Sequence, residues 1–258
     1  MYPTLFHIGN FTVHTYGFFV AIGFLLAISL AIREAKRIGE DVEKIIDLSM
    51  YIIIAAIIGS RLFYVVINWG EFKDQPLEII RIWNGGLVFY GGLIGASTVT
   101  MWYLRKHKLH VWKTADIFAP SIALGQAIGR IGCFFAGCCY GKICHHWWCL
   151  TFTHPESLAP KGVPLHPVQL YSSANALLIY FVLLRLRGSK KFEGELFWGY
   201  VLLYAITRSF IEFFRGDYRG ALLGGLLSTA QTIGIVTAMV AIFMLVYLRR
   251  VSHRKDAQ

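Results

Sequence analysis

Seven apolar stretches, at about 15–32, 45–67, 85–104, 115–131, 167–186, 195–214 and 226–248, alternate with short polar connections along the chain. Each is long enough to cross the hydrocarbon of a bilayer, for which a helix needs roughly 20 residues. None alternates apolar and polar positions as a strand does, and a span must satisfy its own backbone in lipid, so the pattern predicts helices. The expected fold is all-α: one integral-membrane domain over 1–258 with seven transmembrane helices. Met1 to His14 mixes aromatic with small polar residues, carries no Lys or Arg, and is expected to lie in the interface. The one long connection, 132–166, holds Cys133, Cys138, Cys139, Cys144 and Cys149 with His145, His146, His154 and His166. The glycine-rich stretch 215–225 is expected to form a mobile flap. No internal repeat is visible, which argues against an inverted-repeat transporter.

Composition agrees with a membrane protein: 56% of residues are hydrophobic and 16% charged, against about a quarter charged in a soluble domain. No cleavable signal peptide is expected, because the first basic residue, Arg33, follows the first apolar run. The net charge of +10 does not point to nucleic acid, since the basic residues sit in short loops between spans. Their distribution sets the topology. Sixteen Lys and Arg lie on one side, in the loops after the first, third, fifth and seventh spans. Six lie on the other: Lys73, Arg81, Lys142, Lys161, Arg215 and Arg219. Positive-inside then places the N-terminus outside and the C-terminus in the cytoplasm.

Three arginines remain, Arg61, Arg130 and Arg208, and all fall inside spans. Each costs roughly 2.5–3.5 kcal/mol near mid-bilayer and less toward the edge. The direction of their helices puts all three near the outer end, with Arg61 and Arg208 about 9 Å from it. His14 and Tyr16, Asn84 to Gly86, Tyr90-Gly91-Gly92, and His166, Gln169 and Tyr171 share that level, so the site is expected to face the outer leaflet. Glu212, four residues after Arg208, lies on the same helical face. A guanidinium keeps its charge and offers a planar fork to phosphate, so Arg130, between Gly129 and Gly132, reads as an anion site. Arg61 fits an anion site and plain snorkelling equally, since its neighbours Gly59 and Ser60 suit close helix packing as well; the alternative for Arg208 is a structural ion pair to Glu212. Gly91 and Gly92 either pack helices or make room for a ligand. The cysteine spacing contains no C-x2-C pair and matches no ordinary zinc template, so disulfides or small buried residues are expected rather than metal. No G-x-S-x-G, H-E-x-x-H or G-x-x-x-x-G-K-[ST] motif is present, so the chain shows no nucleophile of its own.

Gly129-Arg130-Ile131-Gly132-x-Phe134, ending at Gly141, resembles the signature of the bacterial phosphatidylglycerol–prolipoprotein diacylglyceryl transferase family. So do His14-Thr15-Tyr16-Gly17, Tyr90-Gly91-Gly92-Leu93-Ile94-Gly95, His166-Pro167-Val168-Gln169-Leu170-Tyr171 and Arg208-x3-Glu212-Phe213-Phe214-Arg215. The resemblance implies a multi-pass protein of the bacterial inner membrane with its active site facing the periplasm. It would move the diacylglyceryl group of phosphatidylglycerol to the lipobox cysteine of a preprolipoprotein, without a cofactor, and the thiol would come from the protein substrate. By the same resemblance Arg130 and Arg208 would hold the lipid phosphate, and Arg61, near the same level, is a further candidate for it. Tyr16 would position the headgroup and Glu212 would orient Arg208; Tyr90 and His14 are further catalytic candidates, and Gly91, Gly92, Gly129, Gly132, Gly141, His166, Gln169 and Tyr171 are supporting ones. The chain departs from the family pattern where Tyr90, Cys133, Ala136, Cys138 and Ser172 replace a common His, Asn, Asn, Glu and Glu. A phenol is a poor proton acceptor, so His14, His166 or a water are the alternatives, and the arginine field is expected to do most of the thiol activation. An anion transporter, and a redox or metal-handling protein centred on the cysteines, are the competing functional readings.

Overall fold

The structure, a computed structural model, describes residues 2–8, 11–73, 75–82, 85–217, 221–222 and 227–256. Seven long helices cover the predicted spans: α1 Thr15–Arg37, α2 Val42–Ile67, α4 Phe89–Lys106, α5 Val111–Ala136, α6 Val168–Leu186, α7 Glu195–Glu212 and α8 Thr229–Asp256; α3 Trp69–Phe72 is a single turn. Five of them, α1, α2, α5, α6 and α8, are long and apolar enough to cross a membrane. The third and sixth predicted spans fall on α4 and α7, of 18 residues each. These are the more polar pair: α4 contains Gly91, Gly92, Gly95, Ser97, Thr98 and Thr100, and α7 contains Glu195, Arg208 and Glu212. Ile54, Ile58, Leu62 and Val66, a turn apart on α2, are all exposed. A helix bathed in water would turn polar residues outward there, whereas this face suits hydrocarbon.

The chain divides into two compact units, one formed by residues 32–114 and the other by 1–31 with 115–258, where the apolar pattern alone suggests a single domain. In the unit 32–114, Gly39 takes a left-handed φ of 71° after α1. Its amide reaches the Lys36 carbonyl, and that of Glu40 reaches Ala35, closing the exposed carbonyls of the helix end. Asp41 then caps α2, accepting from the amides of Glu43 and Lys44. α2 and α4 meet through glycine: a Cβ on Gly59 would strike the Gly91 carbonyl, and one on Gly95 the Ala55 carbonyl. Close backbone approach of this kind is how helices gain packing where lipid offers no hydrophobic drive.

In the other unit, β1 Thr4–Ile8 pairs antiparallel with β2 Phe11–His14, so the N-terminal stretch expected at the interface contains a hairpin. The Thr15 amide bonds the Pro3 carbonyl at 2.8 Å where this hairpin passes into α1. Gly23 and Gly125 bring α1 and α5 together: a Cβ on Gly23 would stand 3.0 Å from the Gly125 oxygen. Ser173 on α6 donates to the Ala127 carbonyl of α5 at 2.8 Å. Ala119, Ala123, Ile179, Leu183, Leu196 and Tyr200 form the core between α5, α6 and α7. At one end of that core Asp116 receives the amides of Gly194 and Phe197 and the Lys190 ammonium, anchoring the first turn of α7.

The long connection after α5 is folded. Gly137, at φ 76°, turns the chain out of the helix, and β3 Leu150–Thr151 pairs with β4 Pro164–Leu165. Phe152, Ala159 and Leu165 are buried in a small core beneath Phe134, Tyr140 and Val163. A disulfide joins Cys144 to Cys149 across 5.8 Å between Cα atoms. β5 Ala221–Leu222 pairs with β6 Leu227–Ser228 before α8. Residues 218–220 and 223–226, which include most of the expected flap, and Asn84 lie outside the described residues.

Candidate active site

Arg130 projects from α5, nearly two turns before that helix ends at Ala136. Gly132 lets α5 approach α1 at the residue that matters: a Cβ there would stand 3.2 Å from the Tyr16 carbonyl and 3.0 Å from the Phe19 Cβ. Gly129, by contrast, has nothing within 4 Å of the Cβ position, which leaves open space beside the arginine. Arg130 lies within electrostatic reach of Tyr16 on α1, Tyr200 and Tyr204 on α7, and Cys133, Cys139 and Arg215. Tyr16 itself is half-exposed, so this group combines a cation with phenols, one of which is accessible.

A second arginine comes from α7. Arg208 is ion-paired with the buried Glu212 one turn on, and Glu212 also faces Arg215 at 3.6 Å. Arg215, almost fully buried, is clamped by Asp217 through two bonds of 2.9 and 2.7 Å. The series Arg208, Glu212, Arg215 is linked to Arg130 through Arg215, which lies within its electrostatic reach. Arg215 is a residue that charge counting missed by treating it as a loop cation; its place at the end of the Arg208-x3-Glu212 motif was the available signal. Tyr200 and Tyr204 are further additions, and no sequence feature beyond their spacing before Arg208 marks them.

Three segments are strapped together beneath these groups. The Gly141 amide bonds the His166 carbonyl at 3.1 Å, the Lys142 amide the Phe214 carbonyl at 2.8 Å, and the Gly216 amide the Tyr140 carbonyl at 3.1 Å. A Cβ on Gly141 would overlap His166, so only glycine allows this crossing. Gln169 is buried and donates from Nε2 to the Cys138 carbonyl at 2.8 Å; its Oε1 has no hydrogen-bond partner among the described residues. His166 Nδ1 lies 3.2 Å from the Tyr171 hydroxyl, with the Phe214 ring edge-on at 5.3 Å. Burial, with His146 nearby, holds the His166 imidazole below the ordinary histidine range and so in its neutral form at pH 7. His14 is exposed at the end of β2, paired in register with Thr4.

The spacing of the cysteines hides what the turn does with them. Cys139 adopts a left-handed φ of 60°, and the sulfurs of Cys133, Cys138 and Cys139 all lie within 4.8 Å of one another. The Cys138 thiol also points at the Cys133 carbonyl, 3.7 Å away. Hydrogen bonds from Cys133 and Cys138, with Arg215 adding its charge, pull the Cys139 thiol down, while the same sharing pushes Cys138 up.

Four residues offered by the sequence belong to the unit 32–114, and there the outcome differs. Arg61 does not hold out its fork to a lipid phosphate. Its Nε donates to Ile79, Nη1 to Gly85 and Gly86, and Nη2 to Glu78 and Arg81, all backbone carbonyls at 2.6–3.3 Å. The guanidinium carbon sits 5.6 Å from the Tyr64 ring centroid and 5.3 Å from that of Phe72. A guanidinium has five N–H donors, and here they staple the loop after α3 to α2. The adjacent cavity of about 210 Å³ is lined by Glu71 and Glu78, carboxylates that would repel an anion. Gly91 and Gly92 likewise make helix contacts rather than ligand space, since a Cβ on either would strike Phe63 or Ser60 of α2. Tyr90 is exposed near the start of α4, with the Phe89 ring edge-on at 5.8 Å.

Residues 3–247 match the model of a family described as prolipoprotein diacylglyceryl transferase. Curated relatives agree. A phosphatidylglycerol–prolipoprotein diacylglyceryl transferase of Clostridium tetani is 36% identical over 244 residues, covering 95% of this chain and 96% of that protein. One from Bacillus licheniformis is 38% identical over 251 residues, covering 96% and 92%. The second such enzyme of Clostridium perfringens is 34% identical over 244 residues, covering 95% and 94%. With Arg130, Arg208, Glu212, Gly141 and Tyr16 gathered in one unit and likeness running nearly end to end, the chain belongs to the prolipoprotein diacylglyceryl transferase family.

Proposed function

We propose that this protein transfers the diacylglyceryl group of phosphatidylglycerol to the lipobox cysteine of preprolipoproteins, the thioether-forming step of bacterial lipoprotein maturation. The observation that carries this reading is Arg130 at the end of α5, with Tyr16, Tyr204 and Arg215 around it and open space at Gly129. In this reading Arg130 and Arg208 bind the lipid phosphate. The substrate sulfur attacks the glyceryl carbon, the carbon–oxygen bond breaks, and glycerol phosphate departs with the electron pair. Charge gathers on the phosphate oxygens as the bond opens, and fixed guanidinium groups in a poorly hydrated site stabilise that charge best. Tyr16 positions the headgroup, Glu212 orients Arg208, and buried Arg215, locked by Asp217, holds Glu212 in turn. Neutral His166 is a candidate proton acceptor held by Tyr171; His14 and Tyr90 are carried by the resemblance. The arginine field supports a lipobox thiol, with its ordinary pKa of about 8.5, in reaching the thiolate.

We place seven spans in the inner membrane, N-terminus outside, with the site open to the outer leaflet. The sixteen-to-six bias of basic residues supports this orientation. The transporter and redox readings have no support beside the family likeness. The test is complementation of a strain depleted of its own transferase. Wild type restores growth and lipoprotein maturation, and Arg130→Ala and Arg208→Ala do not. Full rescue by Arg130→Ala contradicts the proposal.

A further inference from the structure

We propose that Cys133, Cys138 and Cys139 form a three-thiolate site for one Zn²⁺ ion whose fourth position takes the thiol of the protein substrate. The inference rests on the transferase reading and deepens it by naming what activates the incoming sulfur.

Zinc is held by thiolates at about 2.3 Å, so three sulfurs around a tetrahedral ion stand about 3.8 Å apart. The three here already lie within 4.8 Å of one another, and closing on an ion asks each to move by less than about 1 Å. The local fold assembles them. Cys133 is on the last turn of α5, Gly137 ends that helix, and the left-handed Cys139 folds the chain back over it. Buried Gln169 grips the Cys138 carbonyl, the kind of outer contact that fixes a metal ligand. Cys144 and Cys149, bonded to each other, are kept out of the cluster.

Charge balance favours a thiolate-rich complex at this point. Three thiolates and a dication leave one negative charge, and a fourth thiolate leaves two. Arg130 lies within electrostatic reach of Cys133 and Cys139, so its guanidinium offsets that charge; Arg215, beside Cys139, is already ion-paired with Asp217. A site with three protein ligands and one exchangeable position is the catalytic form of zinc coordination. The substrate S–H gives its proton to neutral His166 or to water, the acceptors of the transferase reading, as the sulfur takes that position. The bound sulfur then forms the carbon–sulfur bond to the glyceryl carbon, and the carbon–oxygen electron pair leaves on the phosphate. No oxidant or reductant enters.

The test uses the full chain in detergent, prepared metal-free under reducing conditions and titrated with CoCl₂. The expected result is one Co²⁺ per chain, with sulfur-to-cobalt charge transfer in the near ultraviolet and tetrahedral bands in the visible. Cys133→Ser and Cys138→Ser each weaken binding by at least about tenfold, whereas Cys144→Ser/Cys149→Ser leaves it intact and reports on folding. A lipobox peptide shifts the bands, and its Ser-for-Cys analogue does not. Substoichiometric cobalt, a spectrum unchanged in Cys133→Ser/Cys138→Ser/Cys139→Ser, equal response to both peptides, or a disulfide among the three in protein isolated without reductant overturns the inference. Arg130→Ala separates the two readings. If wild type complements and that variant fails while no cobalt binds, the metal inference falls alone; if wild type fails to complement while cobalt binds, the transferase reading falls.

Discussion

A guanidinium in an apolar helix has two stable uses, and the contrast between Arg61 and Arg130 shows both. Arg61 meets five carbonyls and two rings, so its charge serves the fold. Arg61→Ala is expected to cost on the order of 2–4 kcal/mol in the unit 32–114, because carbonyls lose their donor. Arg61→Lys should rescue little of that, as an ammonium cannot span the same fork; thermal unfolding in detergent measures both. Arg130 sits among phenols, thiols and Arg215, and its loss should lower turnover by about 10²–10³ with near-wild-type melting. The sequence distinguishes these cases only in part. It shows that each arginine is costly, but the loop that wraps Arg61 is remote in the chain, and no periodicity reports its carbonyls. His166 provides a pH test. Its folded-state pKa is lowered, so the unfolded chain binds a proton first as pH falls below the ordinary value of about 6.5. Stability from this residue is therefore complete above that value, declines as pH falls toward the lowered pKa, and then levels. His166→Gln should flatten that part of the profile, read by melting temperature against pH.

At the scale of elements, the apolar pattern located all seven long helices, because a 3.6-residue turn in lipid leaves few alternatives. Helix α4 starts at Phe89 rather than near 85, since Gly85 and Gly86 take φ of 85° and 72° and cannot continue a helix. The glycines themselves were visible; which surface they served was not. Gly59, Gly91, Gly92 and Gly95 all face between α2 and α4. Gly92→Val should therefore cost about 1–3 kcal/mol by overpacking, detectable as a lower melting temperature rather than an altered KM. Gly132 is different in kind, because the helix it meets brings Tyr16. The turn at Gly137 to Cys139 was the least legible element. Sequence spacing measures distance along an extended chain, and two left-handed residues, Gly137 and Cys139, gather sulfurs that the spacing separates.

For the whole molecule, the basic loops and the helix count support a C-terminus in the cytoplasm. A fluorescent protein fused there should glow, and an alkaline phosphatase fused there should stay inactive; the reverse pair of results would invert the topology. The division at 32–114 was not visible in composition, since both units share the same apolar spans and short loops. Reaction of the purified chain in phosphatidylglycerol vesicles with a lipobox peptide tests the central assignment most directly. Mass spectrometry should find the peptide heavier by one diacylglyceryl group on its cysteine, with glycerol phosphate released in equal amount and both products formed about 10²–10³ more slowly with Arg130→Ala. An unmodified peptide with wild type, or equal modification by Arg130→Ala, would contradict the account.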